Sequence, residues 1–228
     1  MPDHDRIYAE EAPSYHEMIS KQPPLADIIR SIRPFAGLDI VDMGAGTGRL
    51  SVDLAPEARS LVALDASEAM LIENAQRLAA TSARNWRTVV ADHRKLPLPD
   101  DSADLIVSGW SVCYLTSSNL PEWESNLAQV LAEMHRVLRP GGTIILFETM
   151  GTGLETPNPP EFLLPYYEAL TAKYDFSHKW IRTDYCFDNA EQAERLSRFF
   201  FGDELADRVA REQLSELPEC AGVWWLTI

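Results

Sequence analysis

The chain has 228 residues, of which 46% are hydrophobic and 24% charged, with 35 acidic against 20 basic residues and a formal net charge of −15. That composition excludes a disordered or collagen-like chain, and the length suffices for one sizeable α/β domain with a full core. The acidic excess repels phosphate backbones and argues against a nucleic-acid partner.

No apolar run reaches the ~18 residues of a membrane span. The opening stretch "MPDHDRIYAEEAP" is polar and acidic rather than basic followed by apolar. The expectation is therefore a cytoplasmic chain with no membrane partner. Cys113, Cys186 and Cys220 are odd in number, far apart and in no CxxC or Cys/His cluster, so no disulfide framework and no metal site is signalled.

In chain order, residues 7–32 read as one or two helices broken at Pro23 and Pro24, lying over the edge or mouth of a sheet built from later residues. From residue 38 onward, short β-branched runs alternate with helical patterns. The runs are "LDIVDM", "SLVALDA", "WRTVVAD", "ADLIVSGW" and "TIILFET". Between them, residues 48–55, 67–80 and 121–138 carry helical spacing; in the last, Leu127, Val130, Leu131, Met134 and Leu138 share a face, and "RPGG" ends it. Repeated strand, crossover helix and strand predict an α/β fold, doubly wound around a mostly parallel sheet with helices on both faces.

The last third opens with a loop over 150–160 and a helix over 161–173, for which Asn158 serves as cap. A strand "WIRTDYCF", two short helices and a final strand "AGVWWLTI" come next. Residues 188–215 read as a helical insertion between two strands, with Asp188 and Glu191 spaced as a capping box. The whole reads as a single domain: an N-terminal helical cover over 1–35, a ligand-binding core over 36–149, and a C-terminal part over 150–228.

The stretch "IVDMGAGTGRL" packs Gly44, Gly46 and Gly48 directly behind the first strand. In an open parallel sheet that loop faces a ligand. A dinucleotide fingerprint would read G-x-G-x-x-G, whereas here Arg49 falls where the third glycine belongs, which argues against a pyrophosphate. Asp65 ends the second strand 21 residues after Gly44, placed to accept hydrogen bonds from both hydroxyls of an adenosine ribose. Asp92 ends the third strand, where it can accept from an adenine amino group, with His93 beside it.

In this order the motifs resemble those of class I S-adenosylmethionine-dependent methyltransferases. "VDMGAGTGRL" is similar to the first motif of that family, "ALDASEAML" to its ribose motif, "ADHRKLPLPDDSADLIVSGW" to its adenine motif and fourth strand, and "VLRPGGTIILFE" to the turn into its fifth. The resemblance covers about residues 36 to 149 and implies a Rossmann-like seven-stranded sheet whose last strand, "AGVWWLTI", runs antiparallel. It implies S-adenosyl-L-methionine as cofactor. Gly44, Ala45 and Gly46 would meet its methionine and ribose parts and Asp65 its ribose. Ala66 and Met70 would flank the adenine, Asp92 and His93 bind its edge, Gly109 and Trp110 lie under the methionine end, and Tyr15 close over it. Asp42 would tie the loop down.

The implied reaction is direct in-line transfer of the methyl group to an acceptor held at near-attack distance. Glu148, His16, Tyr114 and His178 are candidate bases, and none is assigned as catalytic. "NPPEF" is similar to the NPPY-type motif of adenine-amino methyltransferases, but it comes after the fifth strand rather than the fourth and reads as a helix start. Together with the acidic charge this points to a small-molecule acceptor. Tyr8, Tyr15, Phe162, Tyr166, Tyr167, Tyr174 and Trp180 are the aromatics available to wall its pocket. The segments 8–15 and 188–215 are expected to form a movable cover. Two alternatives stand beside this reading: an NAD-dependent oxidoreductase, and a non-catalytic S-adenosylmethionine-binding protein on the same fold.

Overall fold

The β-branched runs pair as one sheet. The structure, a computed structural model, describes residues 3–228. Strands β1 (Asp39–Met43), β2 (Ser60–Asp65), β3 (Trp86–Val90), β4 (Ala103–Gly109) and β5 (Leu138–Thr152) lie parallel in the order β3-β2-β1-β4-β5. The final strand β9 (Glu219–Thr227) runs antiparallel between β5 and β6 (Ser177–Arg182), completing seven strands. Both Leu61 of β2 and Leu105 of β4 stand opposite Ile40 of β1, so the connections diverge on either side of β1.

The two faces explain why the central strands are apolar throughout rather than alternating. On one face Ile40, Leu61, Leu105, Ile145 and Val223 pack beneath α3 (Ala26–Ile32), α4 (Ser51–Leu54) and α5 (Glu68–Ala80), which supply Ile29, Leu54 and Leu78. On the other, Val41, Leu64, Ile106, Ile144 and Trp224 pack beneath α7 (Trp123–Val137) and α8 (Leu164–Ala172), which supply Val130, Met134, Tyr166 and Leu170.

Several element boundaries differ from expectation. The N-terminal part forms α1 (His4–Glu10) and α2 (Ala12–Ile19) ahead of α3, because Pro13 in the first turn of α2 begins a new helix. Strand β5 runs on to Thr152, shortening the following loop. The next helix starts as a 3-10 turn at Glu161 with no side-chain cap; Asn158 instead donates its backbone N–H to Met150 O at 2.7 Å. The strand expected over 180–187 is cut in two. Asp184 accepts from Arg182 and from the Glu219 N–H, bending the chain, and β7 (Tyr185–Cys186) pairs separately with β8 (Glu216–Leu217). The capping box at α9 (Ala190–Phe200) falls one residue later, with Asn189 accepting from Gln192 N and Gln192 Oε1 accepting from Asp188 N. The Asp188 carboxylate is held by Lys21 Nζ at 3.0 Å.

Helices α9 and α10 (Asp203–Glu212) meet α2 in a third apolar cluster, where Met18 and Ile19 pack with Phe187, Leu196 and Val209. Arg195 bonds Glu17 across the same junction. The N-terminal segment and the insertion thus form one layer over the carboxyl ends of the strands. Among the described residues no helix is long and apolar enough to cross a membrane, and no group of three or more His, Cys, Asp or Glu is placed to hold a metal.

Gly222 in β9 makes room for Trp224, since a Cβ there would stand 2.3 Å from the indole ring. That ring packs on Tyr167 of α8 and His178 of β6 at centroid distances of 4.5 and 4.4 Å. Gly222→Val should therefore cost about 1–3 kcal/mol of stability through overpacking, read as a lower urea midpoint at unchanged slope.

Candidate active site

Beyond Met43 the chain turns through Gly44, Gly46 and Gly48 at φ of +74°, +50° and +91°, the left-handed region that favours glycine. The three have different neighbours. A Cβ on Gly44 would fall 1.8 Å from Ser111 Oγ, and one on Gly48 would fall 2.9 Å from Asn74 Oδ1. Above Gly46 only the Tyr15 ring comes near, at 3.9 Å. Gly46 alone of the three presents its open face to unfilled space.

The loop is tied from both flanks. The N–H groups of Gly44 and Ala45 both donate to Leu64 O at 2.8 Å, and Gly46 N donates to Asp65 Oδ2 at 2.8 Å. Asp65 Oδ1 accepts from Ser67 N at the start of α5. Asp42, buried at the end of β1, accepts from Ser51 Oγ at 2.5 Å through Oδ2 and leaves Oδ1 without a partner. Burial pushes its carboxyl up to about 7.

At the end of β4, Trp110 adopts φ +51°, a conformation costly for a bulky residue, and its N–H bonds Phe147 O at 2.7 Å. The turn continues into α6 (Cys113–Thr116), whose first N–H is capped by Glu148 Oε1 at 3.0 Å. Glu148 also accepts from Tyr166 Oη, leaves Oε2 unpartnered, and is pushed up to about 7 by burial.

Between these strand ends and the helical layer lies a cavity of about 830 Å³. Six of the residues predicted from sequence stand on its walls: Gly44, Ala45, Gly46, Gly109, Trp110 and Tyr15. Asp65, Ala66, Met70, Asp92 and His93 do not. Met70 is buried within α5, and Ala66 is exposed. The Ser67 hydroxyl donates to Tyr8 O at 2.8 Å, laying α1 against this end of the site. Asp92 is exposed and engaged by Arg94 through Nε and Nη2 at 2.9 and 2.6 Å. His93 is buried, with Nε2 2.6 Å from Ser111 Oγ.

Of the candidate bases, Tyr114 is on the wall with its hydroxyl 2.5 Å from that of Tyr8, whereas Glu148 stands behind the wall. His16 contacts Thr47 Oγ1 at 3.4 Å and is pushed down to about 4 by burial and by Arg77. His178 stacks on Trp224 on the outer strand. Tyr8, Tyr15 and Phe162 line the cavity; Tyr166 and Tyr167 are core, and Trp180 is exposed.

Two wall residues carry no functional mark in the sequence. Arg49 stands out there only as the residue replacing a third glycine. Glu219 starts β9, and its only signal is an acid opening an apolar strand. It is 2% exposed, accepts from Thr149 Oγ1 at 3.1 Å, leaves Oε2 unpartnered, and is pushed up to about 7 by burial.

A methyltransferase domain family matches residues 41–146, from β1 to the middle of β5. Over those residues the chain is similar to methyltransferases. It is 37% identical over 119 residues to the demethylmenaquinone methyltransferase of Clavibacter sepedonicus, covering 52% of this chain and 44% of that one. It is 36% identical over 117 residues to the malonyl-[acyl-carrier protein] O-methyltransferase of Serratia marcescens, covering 51% and 40%. The chain thus spans less than half the length of either relative. Among solved structures, a methyltransferase from Aquifex aeolicus superposes with a TM-score of 0.58 at 16% identity over 95% of this chain and 94% of that one. That likeness shows the shared fold. The family match covers the glycine loop, Arg49, Asp65, Asp92 and Trp110, and leaves out the helical layer and Glu219.

The buried carboxyls make stability depend on pH. Glu148 holds its proton in the folded chain up to about 7, against an ordinary 4.5. Its contribution is complete below the ordinary value and lost as pH rises through the folded one. Wild type should melt several degrees lower at roughly pH 8 than at pH 5, and Glu148→Gln, which cannot ionise, should show a smaller drop.

Proposed function

We propose that the cavity binds S-adenosylmethionine beside a small-molecule acceptor and that the chain transfers the methyl group between them. The observation that carries this reading is Gly46: a left-handed glycine open to the cavity, at the mouth between β1 and β4 where the connections diverge. The residues present suit a nucleoside bearing a zwitterionic amino acid, because close backbone approach is offered without a phosphate nest, and the wall residues Asp42 and Arg49 carry buried polar atoms without a partner.

When bound, the cofactor supplies an electrophilic methyl group. The chain's own residues bind, orient and exclude water. Gly44, Ala45 and Gly46 admit the ligand close to the backbone. Asp65 retains a free lone pair on each oxygen for the ribose hydroxyls. Ala66 and Met70 flank the adenine, and Asp92 and His93 meet its edge, reached when α1 lifts from Ser67. Gly109 and Trp110 support the methionine end, while Tyr8, Tyr15 and Phe200 shut out water. Where the acceptor carries a proton, Glu219 Oε2 is the free carboxyl oxygen placed to take it. The enclosure of the cavity and the acidic chain favour a small molecule over nucleic acid. The two relatives' names, for demethylmenaquinone and for malonyl-[acyl-carrier protein], describe dissimilar acceptors, so neither is assigned to this chain.

S-adenosylhomocysteine should raise the melting temperature and NAD⁺ should not; the reverse would remove the proposal. Gly46→Val should abolish S-adenosylhomocysteine binding in calorimetry while circular dichroism stays native. Asp65→Ala should weaken binding by about 1.5–3 kcal/mol, and Asp92→Ala by less, because Arg94 already shares that carboxylate. Hydrogen exchange in 8–15 and 188–215 should slow on adding S-adenosylhomocysteine if the two segments close as a cover.

A further inference from the structure

Arg49 leads from the glycine loop into α4, and its guanidinium lies over the Trp110 ring, 4.2 Å from the centroid, on the cavity wall. Nη1 donates to Gln22 Oε1 at 2.7 Å, and Gln22 is itself oriented by its Nε2 bond to Thr183 O at 2.7 Å. Nε and Nη2 are buried and have no partner. No carboxylate among the described residues hydrogen-bonds this guanidinium. The other arginines of the sheet ends behave differently: Arg59 and Arg139 both pair with Asp39 and Asp104 at the opposite ends of the strands.

An unpaired buried cation is costly, and an orphaned N–H pair on one edge of a guanidinium is the donor geometry that receives two oxygens at once. We infer that the Nε–Nη2 edge of Arg49, held flat by Trp110 and anchored through Nη1 to Gln22 at the cavity wall, is a carboxylate-binding fork that a ligand entering the cavity reaches by displacing its cover. A carboxylate suits it, because two N–H groups on one edge of a guanidinium match the two oxygens of a carboxylate. The carboxylate has two sources, the amino-acid end of the cofactor or the acceptor. The first source rests on the methyl-transfer reading; the fork itself does not.

Calorimetry on the full chain and on Arg49→Met distinguishes them. One arm compares S-adenosylhomocysteine with its decarboxylated analogue, 5′-deoxy-5′-(3-aminopropylthio)adenosine. The other compares hexanoate with hexanamide in the presence of S-adenosylhomocysteine. In wild type the carboxylate member of one pair should bind at least about tenfold more tightly, the value of a charge-assisted bidentate contact, and Arg49→Met should erase that preference. Loss in the first pair names the cofactor as the source, and loss in the second names the acceptor. The melting temperature of ligand-free Arg49→Met should stay level or rise, because an unpaired buried charge has gone; a role confined to holding Gln22 would lower it instead. Should Arg49→Met not fold, Arg49→Lys, which keeps the charge without the planar fork, must lose most of the preference. Equal preferences in wild type and variant overturn the inference. If wild type fails to bind S-adenosylhomocysteine, the methyl-transfer reading falls, and the hexanoate pair, run without it, still decides on Arg49.

Discussion

Everything in this molecule is arranged around the parting of two connections. From β1 the chain leaves through the glycine loop toward β2 and β3, and from β4 it leaves toward β5 on the other side. Two parallel neighbours whose connections diverge cannot cover their own shared mouth, so a crevice is left at their carboxyl ends. Gly46 and Trp110 stand on its two lips, and both hold left-handed backbone. The hydrogen bonds that maintain them come from neighbouring strands: Asp65 at the end of β2 fixes the first lip and Phe147 O of β5 the second.

The two ends of the sheet treat charge in opposite ways. At the amino ends, Asp39 and Asp104 are bound by Arg59 and Arg139; the guanidiniums hold Asp39 below the usual carboxylate range, and the Asp39 N–H together with Arg139 does the same for Asp104, even though desolvation opposes it. At the carboxyl ends, Asp42, Glu148 and Glu219 are buried with one oxygen bonded and one orphaned, and burial raises all three. The first arrangement satisfies its charges and is structural. The second keeps unsatisfied groups where they cost stability, a pattern concentrated at sites of chemistry. Their tasks still differ. Glu148 caps α6 from behind the wall and so positions Cys113 and Tyr114, whereas Asp42 and Glu219 face the cavity directly.

The helical layer gives the crevice its depth. Its halves lie at opposite ends of the chain, yet they share one apolar cluster around Met18, Phe187 and Leu196 and are joined by Arg195–Glu17 and Lys21–Asp188. It is also held toward the sheet, where α1 and α2 both pack against α5. The Ser67 hydroxyl on Tyr8 O is one such link, and it falls beside Asp65 and Ala66.

The local features of this protein were legible in its sequence. Strand runs, the helical face of α7 and the glycine loop with Asp65 behind it all depend on residues close together in the chain, where side-chain period and glycine's freedom at positive φ leave readable marks, whereas the antiparallel direction of the last strand came from the family resemblance. What only tertiary structure decided were questions of partnership. Gly44, Gly46 and Gly48 look alike in sequence, yet one meets Ser111, one meets Asn74 and one meets open space. Asp92 carries the mark of a ligand acid, but Arg94 folds back onto it. Arg49 and Glu219 carry almost no mark, because an arginine becomes an orphaned fork only when Trp110, Gln22 and the layer above close around it, and a glutamate's carboxyl is pushed up only when a strand end is buried. Burial and pairing are properties of the surroundings, and those surroundings are assembled from segments at opposite ends of the chain.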